Sequence, residues 1–584
     1  MSLLRGFVSL VLAAAAVLSA CGSSDPAPAP ASSTDASADE SDKALSQAAK
    51  EAELDFSNAP AHIAKLIPAN TAVYLQLQSL KTVDLLLGRL ARSNDDFGRR
   101  IDDIRRTLHR MIPGDERHVL QEQRVGIAVT FPQDGEPEFT FVLPLRDPVA
   151  YKRSLQISAH MPQPVFDGSY LAVTNSPTYE RPREPVALAL GLADKPISAR
   201  VDLTRLDRRY GSQIRLALAA VAREGGDEKL AQLVDDPQLT AWIQEASDPL
   251  LYALAVGRQM DFALQIIGDR MRLESAVETR DAGVLAGWTA SEPVDLTPFA
   301  RSLVASDTIA LLGGCDPSVL AERLAPLITD SDAEREHVAR LLESFADQFG
   351  SIGAVTGSLA SGESHFAVHV LATEDAAFSR KLASTLELFS RSGLGVAVQA
   401  KNVATMEEVE VEDLLVRFDA ASMCLLTGER TSDLPAVQER LDEVARTVFG
   451  AETVRVRIAT FGGRGLIAIS NDEVWFRRTL LWAKENKDLT PPDVRGALEH
   501  LGSARAGVVV RVDVARWKQD RDYWASQWRA LSEPVPDHGL FVQTTVHALD
   551  PHSLTMHLGA EGRTLRIGLS MGLPPEPSED MARR

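Results

Sequence analysis

Two histidines, His365 and His369, stand four residues apart. On a helix that spacing puts two imidazoles on one face, an arrangement that can grip a metal ion. The surrounding Ser364-His365-Phe366-Ala367-Val368-His369-Val370 alternates as a strand does, which sets the rings about 13 Å apart. One ion cannot bridge that gap, so the expected setting is a solvated strand face. His547, His552 and His557 gather near the carboxyl end around the turn signal Asp550-Pro551, with no metal-ligand spacing. Glu408, Glu410 and Glu412 alternate with Val409 and Val411. Such carboxylates suit a hard cation, but the pattern reads first as an edge strand whose acidic face discourages pairing with other chains. Trp517, Trp524 and Trp528 recur at helical spacing with Val514 and Leu531. They define one apolar face, either core or the lining of a groove.

Motifs with a fixed chemistry are absent. The sequence has no GxSxG elbow, no GxxxxGK[ST] loop, no HExxH and no GxGxxG after a strand. Gly462-Gly463 lies between two strand-like runs, as a hairpin turn would. Asp202 and Asp513 each precede a helical stretch and read as amino caps. The sequence therefore implies neither an enzyme nor a cofactor. The formal charge of −20 argues against nucleic acid as a partner, because phosphates demand a basic surface.

The amino terminus carries the clearest chemistry. Arg5 precedes an apolar run from Phe7 to Leu18, too short to span a bilayer comfortably, and small residues follow. Leu18-Ser19-Ala20-Cys21 resembles the lipobox of bacterial lipoproteins. That resemblance implies cleavage before Cys21, diacylation of its thiol, and a membrane as partner through that lipid. Several acyl chains hold a protein stably where one does not. Gly22 rather than Asp after the cysteine implies an outer-membrane address facing the periplasm. Residues 21–55 are rich in Ser, Pro and Ala, with no aromatic before Phe56. They cannot bury enough apolar surface to order themselves and form a tether with a span of about 30 Å. Cys315 and Cys424 remain, each in an apolar stretch; they could pair in an oxidising envelope or lie free as small hydrophobes.

The folded part is expected to be α+β. Period-two runs at Gly126–Thr130, Phe139–Leu145 and Thr453–Ile458 imply mainly antiparallel sheets, with flanking helices. Its segments also recur in order. Ala69-Asn70-Thr71-Ala72-Val73 answers to Ser306-Asp307-Thr308-Ile309-Ala310, and Phe139–Leu143 to Phe366–Val370. Leu171–Asn175 answers to Ile467–Asn471, and Arg200-Val201-Asp202 to Arg511-Val512-Asp513. The offsets are 237, 227, 296 and 311 residues. These imply two tandem related halves, 56–295 and 296–573. The jump in offset places an insertion at about 385–460, as a hairpin plus a helix with Val437, Leu441, Val444 and Val448 on its apolar face. Residues 1–20 are the signal and 574–584 a disordered tail. Two such halves would most simply bury apolar faces against each other about a pseudo-twofold axis.

Ile67-Pro68-Ala69-Asn70-Thr71-Ala72-Val73-Tyr74, with Val142–Pro148 following, resembles an uncharacterised family of bacterial envelope proteins that open a strand on Pro-Ala-Asp-Thr. Here Asn70 replaces the Asp, and the second half lacks the proline. The resemblance implies a fold and an envelope location, not a reaction. The expected role is a non-catalytic binding or interaction module with a protein partner in the envelope. The alternative is a periplasmic carrier of an apolar ligand.

Overall fold

The computed structural model describes residues 59–573, apart from 212–255, 282–294, 316–348, 520–551 and several shorter stretches. The signal, Cys21, the tether and the 574–584 tail lie outside the described residues. So do Trp517, Trp524 and Trp528.

The earlier part of the chain forms β1 (Thr71–Leu77), β2 (Val125–Thr130), β3 (Glu138–Pro144), β4 (Val165–Asp167), β5 (Tyr170–Thr174), β6 (Ile197–Asp202), β7 (Gly257–Ile267) and β8 (Arg270–Thr279). The later part forms β9 (Ile309–Cys315), β10 (Phe349–Ser358), β11 (His365–Ala372), β12 (Val396–Met406), β13 (Val409–Phe418), β14 (Thr453–Phe461), β15 (Arg464–Ile469), β16 (Ala506–Asp513), β17 (Ser553–Glu561) and β18 (Thr564–Gly572). Helices α1 (Ala59–Ala64), α2 (Leu80–Ala91), α3 (Pro148–Ser154), α4 (Thr297–Arg301), α5 (Phe378–Arg391), α6 (Leu434–Phe449), α7 (Glu473–Glu485) and α8 (Pro492–Leu501) flank them. The chain is α+β.

All the described strands join one antiparallel sheet. Its lateral order is β4-β5-β3-β2-β1-β6-β7-β8-β18-β17-β16-β9-β10-β11-β15-β14-β13-β12. Outward from the β8–β18 junction, one arm runs 8-7-6-1-2-3-5-4 and the other 18-17-16-9-10-11-15-14. The second then adds β13 and β12. The hairpins correspond as well. Asp167 faces Tyr170 and Phe461 faces Arg464; Ile267 faces Arg270 and Glu561 faces Thr564. In each case the later residue is 294 places on. By this register Ala468 answers to Thr174, two residues from the match read off the sequence. Across the junction Glu274 pairs with Gly568, again 294 apart. A residue paired with its own counterpart marks a local twofold axis normal to the sheet. The arms meet edge to edge there, so the expected face-to-face burial does not occur. A strand buried on one face has a free edge of its own to satisfy, and β8 and β18 satisfy each other.

β8 shows why these residues form a strand. Met271, Leu273, Ser275 and Val277 are buried while Arg270, Arg272, Glu274 and Ala276 are less so. Successive side chains point to opposite faces. The apolar face continues through Leu565, Ile567, Leu569 and Met571 of β18 and under α2 and α3, where Leu80, Val83, Leu86, Leu87 and Tyr151 roof it. At the far end of the later arm α5 and α6 cover the same face through Phe378, Leu382 and Phe449. The opposite face is covered by α1, by α4 with α8, and by α7. Between α5 and β14 the chain forms β12, β13 and α6, in the stretch where an insertion was expected. Helix α6 packs through Gln438, Asp442 and Ala445, while Val444 is exposed, so its packed face is rotated from the expected one. Asp442 draws it round by pairing with Arg417 of β13.

Candidate functional site

Helix α8 lies over the junction of the arms, on the face opposite the large apolar core. Asp493 in its first turn is buried. It accepts a hydrogen bond from Thr555 Oγ1 at 2.7 Å and lies 3.4 Å from Arg511 Nε and 3.5 Å from Arg270 Nη1. One carboxylate thus ties α8 to β17, β16 and β8. Two turns on, His500 Nδ1 meets His557 Nε2 at 2.5 Å. Only one of those nitrogens can carry a proton. His557 is pushed down to about 3 by burial, then by His500 and by Arg272. Its ring lies over Gly568, where a Cβ would come within 2.0 Å of Cε1. The glycine on the twofold axis is therefore dictated by the histidine above it.

The second cluster lies under α7. His365 and His369 point to one face of β11, as read from sequence, but that face is buried, so the expected solvated setting is wrong. His365 Nε2 is 3.1 Å from Asp307 Oδ1, and Trp475 Nε1 donates to the same oxygen at 3.4 Å. The His365 and Trp475 rings lie 4.4 Å apart, tilted by 34°. His369 is fully buried and its Nε2 has no hydrogen-bond partner among the described residues. Burial pushes it down to about 4; Asp307 opposes that and Arg464 adds to it. Its neutrality has a measurable consequence. The unfolded chain takes up this proton near 6.5, the folded chain only near 4. Stability held above pH 6.5 is therefore lost as pH falls towards 4, by about 3 kcal/mol for this one group. His369→Leu should flatten the acid limb of a stability-versus-pH curve. If variant and parent fall in parallel between pH 7 and 4, His369 is not the group responsible.

The acidic row does not lie on an edge strand, although Glu408 and Glu410 are exposed. Strand β13 is not an edge, because the inserted β12 pairs with it. Glu412 is buried 3.7 Å from Lys401, Glu410 lies 3.4 Å from Arg380, and Asp413 lies 2.6 Å from Arg455. Glu407 and Glu408 form the turn between β12 and β13 with φ of 47° and 61°, a left-handed conformation that costs a non-glycine residue about 1 kcal/mol or more. Lys484 offsets that strain by donating to Glu407 O and Glu408 Oε2, both at 2.8 Å. Asp202 and Asp513 are amino caps, accepting from the N–H of Arg205 and Arg516 at 3.0 Å. His557 finds His500 rather than His552, and His547 lies outside the described residues. Cys424 is buried and free.

His109 was missed in the sequence because its partners are far apart in the chain. Its Nε2 reaches Asp84 at 2.9 Å and its Nδ1 reaches Glu116 at 2.7 Å. Burial would lower its pKa, but the two carboxylates outweigh that and raise it. With a carboxylate on each nitrogen, it is an imidazolium clip. It borders an open cavity of about 460 Å³ that is also lined by Asp102, Arg105 and Arg106.

Among the described residues, an apolar row on the sheet is exposed. Ile309 and Leu311 of β9 and Val508 of β16 share the face of the large core yet are 40%, 39% and 36% accessible. By register their counterparts in the earlier arm are Val73, Leu75 and Ile197, which pack in the core roofed by α2.

No protein-family model and no curated protein matches this chain. Two solved structures, crystal forms IV and III of TP0453, are similar at TM-score 0.23 each, with 9% and 11% identity. They cover 49% and 48% of this chain and 83% and 95% of their own.

Proposed function

We propose that the chain is a lipid-anchored protein of the bacterial cell envelope, built from two tandem copies, whose sheet docks an amphipathic helix of a partner protein. The lipobox at Cys21 supports the anchor, Gly22 supports the outer membrane, and the tether would lift the sheet off the lipid. No residue is assigned a catalytic role. The observation that carries the docking reading is the exposed row Ile309, Leu311 and Val508. Its counterpart is filled by α2, an amphipathic helix; the stretch whose apolar spacing answers to α2 in the later half, Val319, Leu320, Leu324 and Leu327, lies outside the described residues. The shape and chemistry of a fitting ligand are therefore those of such a helix, with apolar residues at three- and four-residue spacing.

A photo-crosslinker on Val508→Cys tests this in the native envelope. The expected result is an adduct with a second polypeptide that is lost when Leu311→Asp is added. An adduct confined to this chain, to its own 316–348, would overturn the partner reading.

A further inference from the structure

We propose that two copies of this chain join through β12, pairing antiparallel about a twofold axis at Val403, so that both sheets become one. The surface is distinct from the row at Ile309.

A sheet open at both ends has two edges, and the two here are treated differently. At one end β4 is three residues long. Its tight turn directs Asp167 and Val165 towards β5, leaving Phe166 to face outward. Arg181 closes that position, donating to Phe166 O at 3.3 Å and pairing with Asp167. That edge is sealed. At the other end β12 is eleven residues long and, among the described residues, pairs with β13 alone. Gln399, Ala400, Lys401, Asn402, Val403 and Thr405 are exposed. The two-residue turn makes Met406 and Val409 a hydrogen-bonded pair, so Thr405, Val403 and Lys401 turn their backbone N–H and C=O outward. Further back, Val398 N–H is met by Ser390 Oγ at 3.0 Å. The stretch from Lys401 to Thr405 has no such cover among the described residues.

Exposed edges of this length are normally blunted by charge, proline or brevity. The sequence Val-Ala-Val-Gln-Ala-Lys-Asn-Val-Ala-Thr-Met has one charge and no proline. The charge selects the register. An axis at Lys401 would set two ammonium groups against each other. An axis at Val403 sets Lys401 opposite Thr405 of the second copy and brings together the two Val403 side chains, each 58% exposed. Outward-facing residues then oppose outward-facing residues, as hydrogen-bonded pairs require. A second copy is the occupant this edge fits, since the contact is isologous and closes on itself. Anchoring both copies in one membrane would raise their effective concentration.

The test uses the full chain in its own membrane. Val403→Cys treated with a short bis-maleimide should give a product of twice the chain mass. The unsubstituted chain, treated alongside, sets the background from native thiols. Gln399→Cys should give none, because its two copies would lie about 26 Å apart. A second variant guards the result: Val403→Pro removes an outward N–H that β13 does not use. It should leave the fold intact by circular dichroism, while cutting crosslinking of a Lys401→Cys chain to a Thr405→Cys chain at least tenfold. The proposal is overturned by a monomeric product from Val403→Cys, by an adduct with a different polypeptide, by equal crosslinking at Gln399→Cys, or by crosslinking that survives the proline.

Discussion

Asp493→Ala should be among the most destabilising single substitutions in the folded part, at about 3–5 kcal/mol. The carboxylate is buried and faces two guanidinium groups and a hydroxyl. Removing it strips Arg270 and Arg511 of a buried carboxylate under α8, where their side chains are 18% and 15% exposed, and leaves Arg270 facing the half-exposed Asp269 at 3.8 Å. Those charges belong to β8 and β16, on opposite sides of the junction, so their repulsion opens the seam between the arms. Thr555→Val removes only the neutral donor to the same carboxylate and should cost about 1 kcal/mol. Asp493→Asn keeps a partner for Thr555 but not the charge and should fall between the two. Urea midpoints for the three variants, read by tryptophan fluorescence, check the ranking. An Asp493→Ala midpoint equal to that of Thr555→Val would mean that the ion pairs contribute nothing and that α8 is held by apolar contacts alone.

Local pattern made part of this architecture legible. The alternation in Thr453–Ile458 and Phe139–Leu143 is fixed by side chains pointing to opposite faces, and both are strands. The spacing of Val437, Leu441, Val444 and Val448 made a helix legible there, and α6 spans all four. What failed was long-range. His365 and His369 were placed in water because an antiparallel sheet commonly keeps one wet face. Here helices cover both faces, and α7, which buries them, starts more than a hundred residues downstream of them. Glu408, Glu410 and Glu412 looked like an edge because nothing in Glu-Val-Glu-Val-Glu reveals that β12 will pair beside them. The edge-to-edge joining of the arms depends on which strand ends each arm, and β8 and β18 carry no local mark of it.

Cys21→Ser should abolish membrane attachment altogether. The thiol sulfur is the atom that would carry the diacylglyceryl group, and serine in its place offers a far weaker nucleophile for forming the thioether bond to the glycerol carbon. Among the described residues no helix is long and apolar enough to cross a bilayer, and a chain with a formal charge of −20 is repelled by an anionic lipid surface. A single uncleaved apolar run of about twelve residues from Phe7 to Leu18 is shorter than the roughly twenty that a span needs. The variant should therefore retain its signal, running about two kilodaltons above the mature chain, and should appear in the soluble envelope fraction or be degraded. Metabolic labelling with a fatty acid should mark the parent and leave the variant blank. A variant that is cut at the normal position and still sediments with membranes would remove the lipid anchor from the account. The exposed row on β9 and β16 would then belong to a freely diffusing protein.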